Sequence, residues 1–240
     1  MDDLTVLHDL LGHYARQHGD IQKLRIAVEL RIGAMERDGI QEEQLLPLRA
    51  QLDSLDALEH DLDRHLERLM KRHPIAPWIR AEAKGLSLRT FALLFGITGP
   101  LDRFETVPKL WKYLGLHVVD GHSARRTRGE RLGFASEGRV RAHLIGTSIV
   151  KSGGGGRYRE AYDRKRAEYL ARPRLGDSGC PFGQEHRAAE GKGILACVKE
   201  GDEGETSAHV HAAAMRYAVK RMLRDLWKEW RRVVAVAQAA

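Results

Sequence analysis

Two cysteines and several histidines lie in and just after a long glycine-rich connection near the C-terminus. Cys180 and His186 have the spacing C-x5-H, and Cys197 and His209 have the spacing C-x11-H. Thiolate and imidazole are common ligands of Zn²⁺, which binds four of them tetrahedrally. We predict a zinc site formed by Cys180, His186, Cys197 and one of His209 or His211, and of these two we choose His209. The alternative is a set of loose surface residues around a buried cysteine.

A second candidate site is a basic loop in the middle of the chain. Four arginines fall within seven residues, opposed only by Glu130: Arg125, Arg126, Arg128 and Arg131. Arg139 follows on a predicted helix that begins near Ser136. Clustered arginines attract the phosphates of nucleic acid, although such a loop can also be merely solvated. We favour nucleic-acid contact.

The elements before this loop form a predicted helix-hairpin-helix. The segment WIRAEAKGLSLRTFALLFGITGPL reads as a short helix, a turn at Lys84-Gly85-Leu86 and an apolar helix that ends by Pro100. A hairpin glycine allows close approach of the backbone to a phosphate, and the N–H groups at the next helix start can donate to it. We therefore add Lys84 and Gly85 to the nucleic-acid-binding residues; the alternative is an ordinary helical turn.

The order of these motifs resembles a known family. The string LFGITGPLDRFETVPKLWKYLGLHVVDGHSARRTRGERLG is similar to the carboxy-terminal domain of the insertion-sequence 110/116/902 transposases, over roughly residues 79 to 170. The later run GGGGRYREAYDRKRAEY and the ending RYAVKRMLRDLWKEWR resemble segments of single-domain relatives. The resemblance implies DNA binding and recombination by a mobile element, with DNA or structured RNA as the partner.

The resemblance also implies one candidate catalytic residue. In the full-length transposases a serine attacks the DNA phosphodiester, and the matching position here is Ser123, next to His122. Those enzymes draw on four metal-binding acidic residues of a RuvC-like domain, and nothing in this chain matches that set. Independent enzymatic activity is therefore uncertain. A serine-dependent strand-transfer enzyme whose partner supplies the carboxylates remains an alternative.

The amino-terminal segment shows the strongest periodicity. Apolar positions alternate by three and four from Leu4 to Met35, and again from Leu48 to Leu69 after the turn Asp38-Gly39. This pattern predicts an antiparallel coiled-coil hairpin. His18, Arg25 and Glu59 fall on its seam, where they either set the pairing or receive a second subunit. The hairpin is either an intramolecular stalk or an arm that makes a homo-oligomer; we favour the arm.

Charge is distributed unevenly between the two ends. Residues 1–70 hold 8 Lys and Arg against 15 Asp and Glu, and the remainder holds 32 against 18. A polyanion should therefore bind the carboxy-terminal part. The absence of long apolar runs, of a secretion signal and of a disulfide framework predicts a cytoplasmic protein without a membrane partner.

Together these patterns predict a mainly α protein. The domains are a coiled-coil hairpin (1–74), a helix-hairpin-helix domain (75–170) with a short strand near Leu116, a glycine-rich loop (171–206) and a basic amphipathic helix (207–240). We expect a transposase-like protein that binds DNA, or structured RNA, mostly through contacts with phosphates. A structural or assembly protein is the alternative from a different class.

Overall fold

The computed structural model describes residues 3–119, 122–124, 129, 132–152, 156–184, 196–201 and 204–239. It is mainly helical, which confirms the predicted fold class. The helices in chain order are α1 Asp3–Arg37, α2 Glu42–Arg72, α3 Ala76–Glu82, α4 Leu88–Thr98, a 3-10 turn Leu101–Arg103, α5 Val107–Tyr113, α6 Ser136–Lys151, α7 Arg157–Leu170 and α8 Ala208–Ala239. Among these residues, no helix combines the length and apolarity needed to cross a bilayer.

Two short antiparallel hairpins complete the described structure. Strands β1 (Val118–Val119) and β2 (His122–Ser123) pair with Val118 opposite Ser123, at the predicted strand position. Strands β3 (Lys199–Gly201) and β4 (Gly204–Thr206) pair just before α8. This second hairpin lies inside the segment that we predicted as a loop.

The chain folds into two compact units. The N-terminal unit comprises Met1–Ala76 and Ser87–Arg103, and the C-terminal unit comprises Pro77–Leu86 and Phe104–Ala240. This division differs from the predicted boundary after residue 74, because α4 packs against α1 and α2. The predicted second helix of the helix-hairpin-helix therefore belongs to the N-terminal unit.

In the N-terminal unit, α1 and α2 form the predicted antiparallel hairpin, and the polar seam residues pair with one another. Arg25 Nε donates to Glu59 Oε2 at 2.6 Å, and His18 Nε2 lies 3.0 Å from Asp63 Oδ1. Burial raises the pKa of Glu59, but the bonds from Arg25 and Gln22 outweigh it and hold that pKa below its usual value. These side chains therefore fix the pairing of α1 with α2.

Gly96 explains why α4 joins the first two helices. A Cβ on this glycine would lie 2.3 Å from Ala15 Cβ and 2.8 Å from the Leu11 carbonyl oxygen, both on α1. Only glycine permits so close a contact between α4 and α1. Phe91, Leu94 and Phe95 of α4 are fully buried as a result.

We predict that Gly96→Ala lowers the free energy of unfolding by about 1–3 kcal/mol, because the added methyl group overpacks the contact between α1 and α4. Urea unfolding followed by circular dichroism measures the change. The matched control is Gly19→Ala on α1, where an added Cβ meets nothing within 4 Å. Alanine there should stabilise by up to about 1 kcal/mol through helix propensity. Equal effects at both positions would contradict the close-packing explanation.

In the C-terminal unit, α8 is the central element. It packs against α5, α6 and α7, and its buried face includes Ala214, Ala218, Met222, Leu226 and Trp230. This buried face agrees with the prediction that the last helix is amphipathic. Tyr158 and Tyr162 of α7 are also buried in this unit. Outside this buried face, α8 carries the half-buried basic residues Arg216 and Lys220.

Candidate functional site

The structure brings together three of the four predicted metal ligands. The nearest ligand atoms of Cys180, Cys197 and His209 all lie within 4.8 Å of one another. Cys180 ends a tight turn closed by two backbone hydrogen bonds with Leu175, and the Cys197 amide donates to the Ser178 carbonyl at 2.8 Å. His209 lies in the first turn of α8. Three separate segments therefore converge on one point that could hold a metal ion.

The surroundings of the two thiols are those of an enclosed site. Both cysteines are buried, and Cys180 Sγ lies 3.5 Å from His209 Nδ1. Cys197 Sγ lies 3.1 Å from Ser207 Oγ, which also accepts a hydrogen bond from the Val210 amide. Burial raises the pKa of Cys197, and the adjacent Cys180 adds to the effect while Ser207 opposes it. A bound cation would reverse this shift, because the thiolate is the ligand form.

The choice between the two histidines follows from their partners. His211 Nδ1 is hydrogen-bonded to the Tyr162 hydroxyl at 2.7 Å and is not part of the cluster. The structure therefore agrees with His209 as the ligand from this pair. His186, the fourth predicted ligand, lies outside the described residues.

A cleft of about 400 Å³ lies along α8 beside this cluster. One wall is the α8 face from His209 to Lys220, and the other walls come from the β1–β2 hairpin, the end of α7 and the turn that follows Cys180. We call this feature the α8 cleft. His209 belongs to both the cluster and the cleft, so a metal ion bound to the cluster would stabilise the His209 end of the α8 wall.

Two basic residues of α8 are half-buried in this cleft. Arg216 and Lys220 lie one helical turn apart and both line it. Among the described residues, no carboxylate lies within ion-pair distance of either side chain. Burial lowers the pKa of Lys220, and the nearby Arg216 lowers it further. Burial likewise lowers the pKa of Arg216, with a further contribution from Arg139.

Further basic residues lie near the residues that line the cleft. Burial lowers the pKa of His117, and the charges that reinforce this shift are Lys112, Lys220 and Arg139. Arg139 also donates to the Ala124 carbonyl and covers the Phe134 ring at 5.1 Å, so its position is fixed. Arg139 was predicted as a nucleic-acid-binding residue, and its charge contributes to the lowered pKa of Arg216.

Three aromatic rings line the same cleft: Tyr169, Phe182 and Tyr217. The edge-to-face pair of Tyr169 and Phe182 has ring centroids 5.0 Å apart. Lys165 Nζ lies 5.0 Å from the Tyr169 centroid and 5.2 Å from the Tyr217 centroid. The cleft therefore combines half-buried aromatic rings with Arg216 and Lys220, which have no carboxylate partner among the described residues.

Ser123, the candidate nucleophile, also lines the α8 cleft and is half-buried. The side chain of His122, which could have acted as its base, lies outside the described part of the structure. No carboxylate is present among the described residues that line the cleft. The serine is thus close to the cations but has no acidic group of this cleft to activate it or to bind a metal.

The other predicted phosphate contacts have different outcomes. Gly85 has φ of +83°, as its hairpin requires, but a Cβ there would lie 2.3 Å from Ser152 Cβ. Packing against Ser152 at the end of α6 is therefore sufficient to explain this glycine. Lys84 beside it is exposed. Four predicted residues lie outside the described residues: Arg125, Arg126, Arg128 and Arg131.

Sequence reasoning missed the cleft itself, although it noted the basic residues of α8.

Comparison with family models, with curated proteins and with solved structures found no match. The resemblance to the transposase domain stays a prediction. The α8 cleft and the cysteine–histidine cluster are therefore the features from which a function can be argued.

Proposed function

We propose that the C-terminal unit binds nucleic acid through the α8 cleft. The observation that carries this proposal is the pair Arg216 and Lys220, half-buried and without a carboxylate within ion-pair distance among the described residues. Burying like charges together costs stability unless something compensates them. A phosphate group would supply the missing negative charge.

Other arginines of the same unit show that the fold can neutralise its cations. Arg159 Nε lies 2.8 Å from Asp163 Oδ2, and Arg174 Nη2 lies 2.7 Å from Glu205 Oε2. Arg157 pairs with both Glu82 and Asp225. Arg216 and Lys220 differ from these residues because no carboxylate in the described part of the chain pairs with either of them; Lys220 instead contacts the Trp111 ring, whose centroid lies 5.1 Å from Lys220 Nζ. Such an arrangement is typical of a ligand site.

Nucleic acid fits this site better than a small inorganic anion does. The basic excess of the chain lies after residue 70, with 32 Lys and Arg against 18 Asp and Glu. Nucleic acid is a long polyanion, so it can also contact cations outside the cleft, including Arg139. Aromatic rings in the cleft match bases rather than free phosphate. The resemblance to a transposase domain points in the same direction.

We also propose that the Cys180, Cys197 and His209 cluster holds zinc with a structural role. Two thiolates and an imidazole form a donor set that Zn²⁺ prefers. The buried thiols indicate a closed site, and the ion would join the turn at Cys180 to the start of α8. This segment has little apolar core of its own, so a metal ion would fix the walls of the cleft.

Two other functions remain less supported. For strand transfer, Ser123 lies in the cleft, but a partner would have to supply the carboxylates. For an assembly protein or a homo-oligomer, α1 exposes Leu24, Ile26 and Leu30, which a second copy could cover. An oligomer that binds no nucleic acid would favour the assembly function over our proposal.

The proposal predicts salt-dependent binding of nucleic acid. Fluorescence anisotropy with labelled oligonucleotides, measured from low to high NaCl, should give a linear fall of log affinity with log salt. Two phosphate contacts predict a slope of about −1.4 or steeper, since each contact on a single strand contributes about −0.7. An affinity that does not change with salt, or no binding at low salt to any DNA or RNA tested, would contradict the proposal.

A further inference from the structure

The aromatic rings that line the α8 cleft indicate whether single-stranded or duplex nucleic acid binds there. Tyr217 lies on α8 between the two cations, one residue after Arg216 and three before Lys220. Its ring lines the cleft with Lys165 over it, and Tyr169 and Phe182 lie on the facing elements. A ring so close to two cations can contact a base while the cations contact the adjoining phosphate.

Bases in a duplex cannot stack on these aromatic rings. Their faces are stacked on neighbouring base pairs, so a protein that touches a duplex meets its grooves and its backbone. An unpaired base exposes its face and can stack on an aromatic side chain. A basic surface alone would serve for a duplex, and the rings of the cleft would then contact no base.

The size of the cleft leads to the same conclusion. Its volume of about 400 Å³ lies in the range of sites that enclose one small molecule. A single nucleotide is of that class, whereas a duplex could touch only the rim. Arg216 and Lys220 lie one turn apart on the same helix, which suits two contacts to one phosphate group or to two successive ones.

We propose that the α8 cleft binds one unpaired nucleotide of a nucleic-acid strand, with its phosphate at Arg216 and Lys220 and its base against Tyr217. This inference rests on the proposed nucleic-acid binding and specifies the form of the ligand. The strand continues from the cleft along the neighbouring cations, so the ligand is a strand segment and not a free nucleotide.

The first test changes the ligand and leaves the protein intact. Anisotropy titrations compare a labelled single strand, the same strand annealed to its complement, and a single strand in which consecutive bases are replaced by abasic sites. We expect the intact strand to bind about tenfold more tightly than the abasic strand, since one stacked base contributes a factor of this order. Equal affinity for all three ligands would overturn this inference and leave the proposed function standing.

A competition experiment separates the strand from its components. A free nucleoside monophosphate and inorganic phosphate are each titrated against the bound strand. Both should compete only at concentrations far above the dissociation constant of the strand. Displacement by the mononucleotide at concentrations equal to or below those of the unlabelled strand would overturn the inference in favour of a nucleotide-binding protein.

The second test changes the ring. Tyr217→Ala should lower affinity for the single strand about tenfold and change affinity for the abasic strand less than about threefold. Tyr217→Phe retains the ring and should restore most of the lost affinity. Thermal unfolding of each variant, compared with the wild-type protein, reports whether the unit is still folded. Equal losses on the intact and the abasic strand would show that the ring does not contact a base.

Discussion

Replacing Cys197 with serine will remove bound zinc from the protein and loosen the segment that precedes α8. Elemental analysis of the wild-type protein should give about one zinc per chain, as one four-coordinate site requires. The serine hydroxyl is a much poorer ligand than a thiolate, so the content of Cys197→Ser should fall close to zero. Protease cleavage between Arg172 and Thr206 should increase.

The same substitution should reduce stability. Structural zinc contributes roughly 10 kcal/mol or more to the folding of zinc-finger peptides, which have almost no other core. The C-terminal unit has an apolar core along α8, so we expect the free energy of unfolding to fall by about 3 kcal/mol, well below that scale. Thermal unfolding with and without a chelator measures the effect, and the chelator should change little in Cys197→Ser.

The two neighbouring histidines provide a matched control. His209→Asn removes a predicted ligand, whereas His211→Asn removes the hydrogen bond and the edge-to-face ring contact with Tyr162 and leaves the cluster intact. The first variant should lose zinc and the second should retain it. Equal zinc content in the wild-type protein, His209→Asn and Cys197→Ser would show that the cluster is not the binding site.

Removing the two cleft cations should weaken nucleic-acid binding and strengthen the fold. Arg216→Met and Lys220→Met each keep an aliphatic side chain and delete the charge. A charge-assisted hydrogen bond contributes about 1.5–3 kcal/mol, so the double variant should bind a single strand at least about 100-fold more weakly at low salt. Replacing two neighbouring half-buried charges, which have no carboxylate partner among the described residues, by apolar groups should also raise the free energy of unfolding, by about 1 kcal/mol.

The opposite signs of these two effects distinguish a binding role from a structural one. If Arg216 and Lys220 served mainly to hold the fold, the double variant would be less stable and any loss of binding would follow from unfolding. Lys228→Met is the matched control, because Lys228 is an exposed lysine of α8 that does not line the cleft. Its affinity should change less than about threefold, as is expected of one distant surface charge. A loss equal to that of the double variant would point to nonspecific attraction by the whole helix.

Much of the fold follows from local patterns in the sequence. The alternation of apolar residues by three and four predicts α1 and α2, and the strand near Leu116 is present as β1. The metal cluster was predictable because it depends on residue type: thiols and imidazoles on a long connection have few other reasons to converge. Three of the four proposed ligands, Cys180, Cys197 and His209, do converge.

The remaining features depend on contacts between distant parts of the chain. An added Cβ at Gly146 of α6 would lie 2.5 Å from Met215 Cγ of α8, so α6 packs through this glycine and Ala142. Of the bulkier apolar residues of α6, Ile145 and Ile149 are buried, whereas Val140 and Leu144 are exposed. Apolar periodicity gives weight to large side chains and cannot detect helices that pack through small ones.

The cleft could not be predicted for a similar reason. The amphipathic pattern of α8 places its basic residues opposite the core and predicts a solvated face. Tyr169 from α7 and Phe182 from the turn after Cys180 instead form walls beside that face. Nothing in the local sequence of α8 shows that these rings are near Arg216.

The most direct test of the account is the salt dependence of single-strand binding, measured side by side for the wild-type protein and for Arg216→Met with Lys220→Met. If these two side chains neutralise phosphates in the α8 cleft, the slope of log affinity against log salt should be less steep in the double variant by about 1.4, two contacts of about 0.7 each. Parallel lines with the same slope would show that nucleic acid contacts the protein elsewhere and would contradict the account.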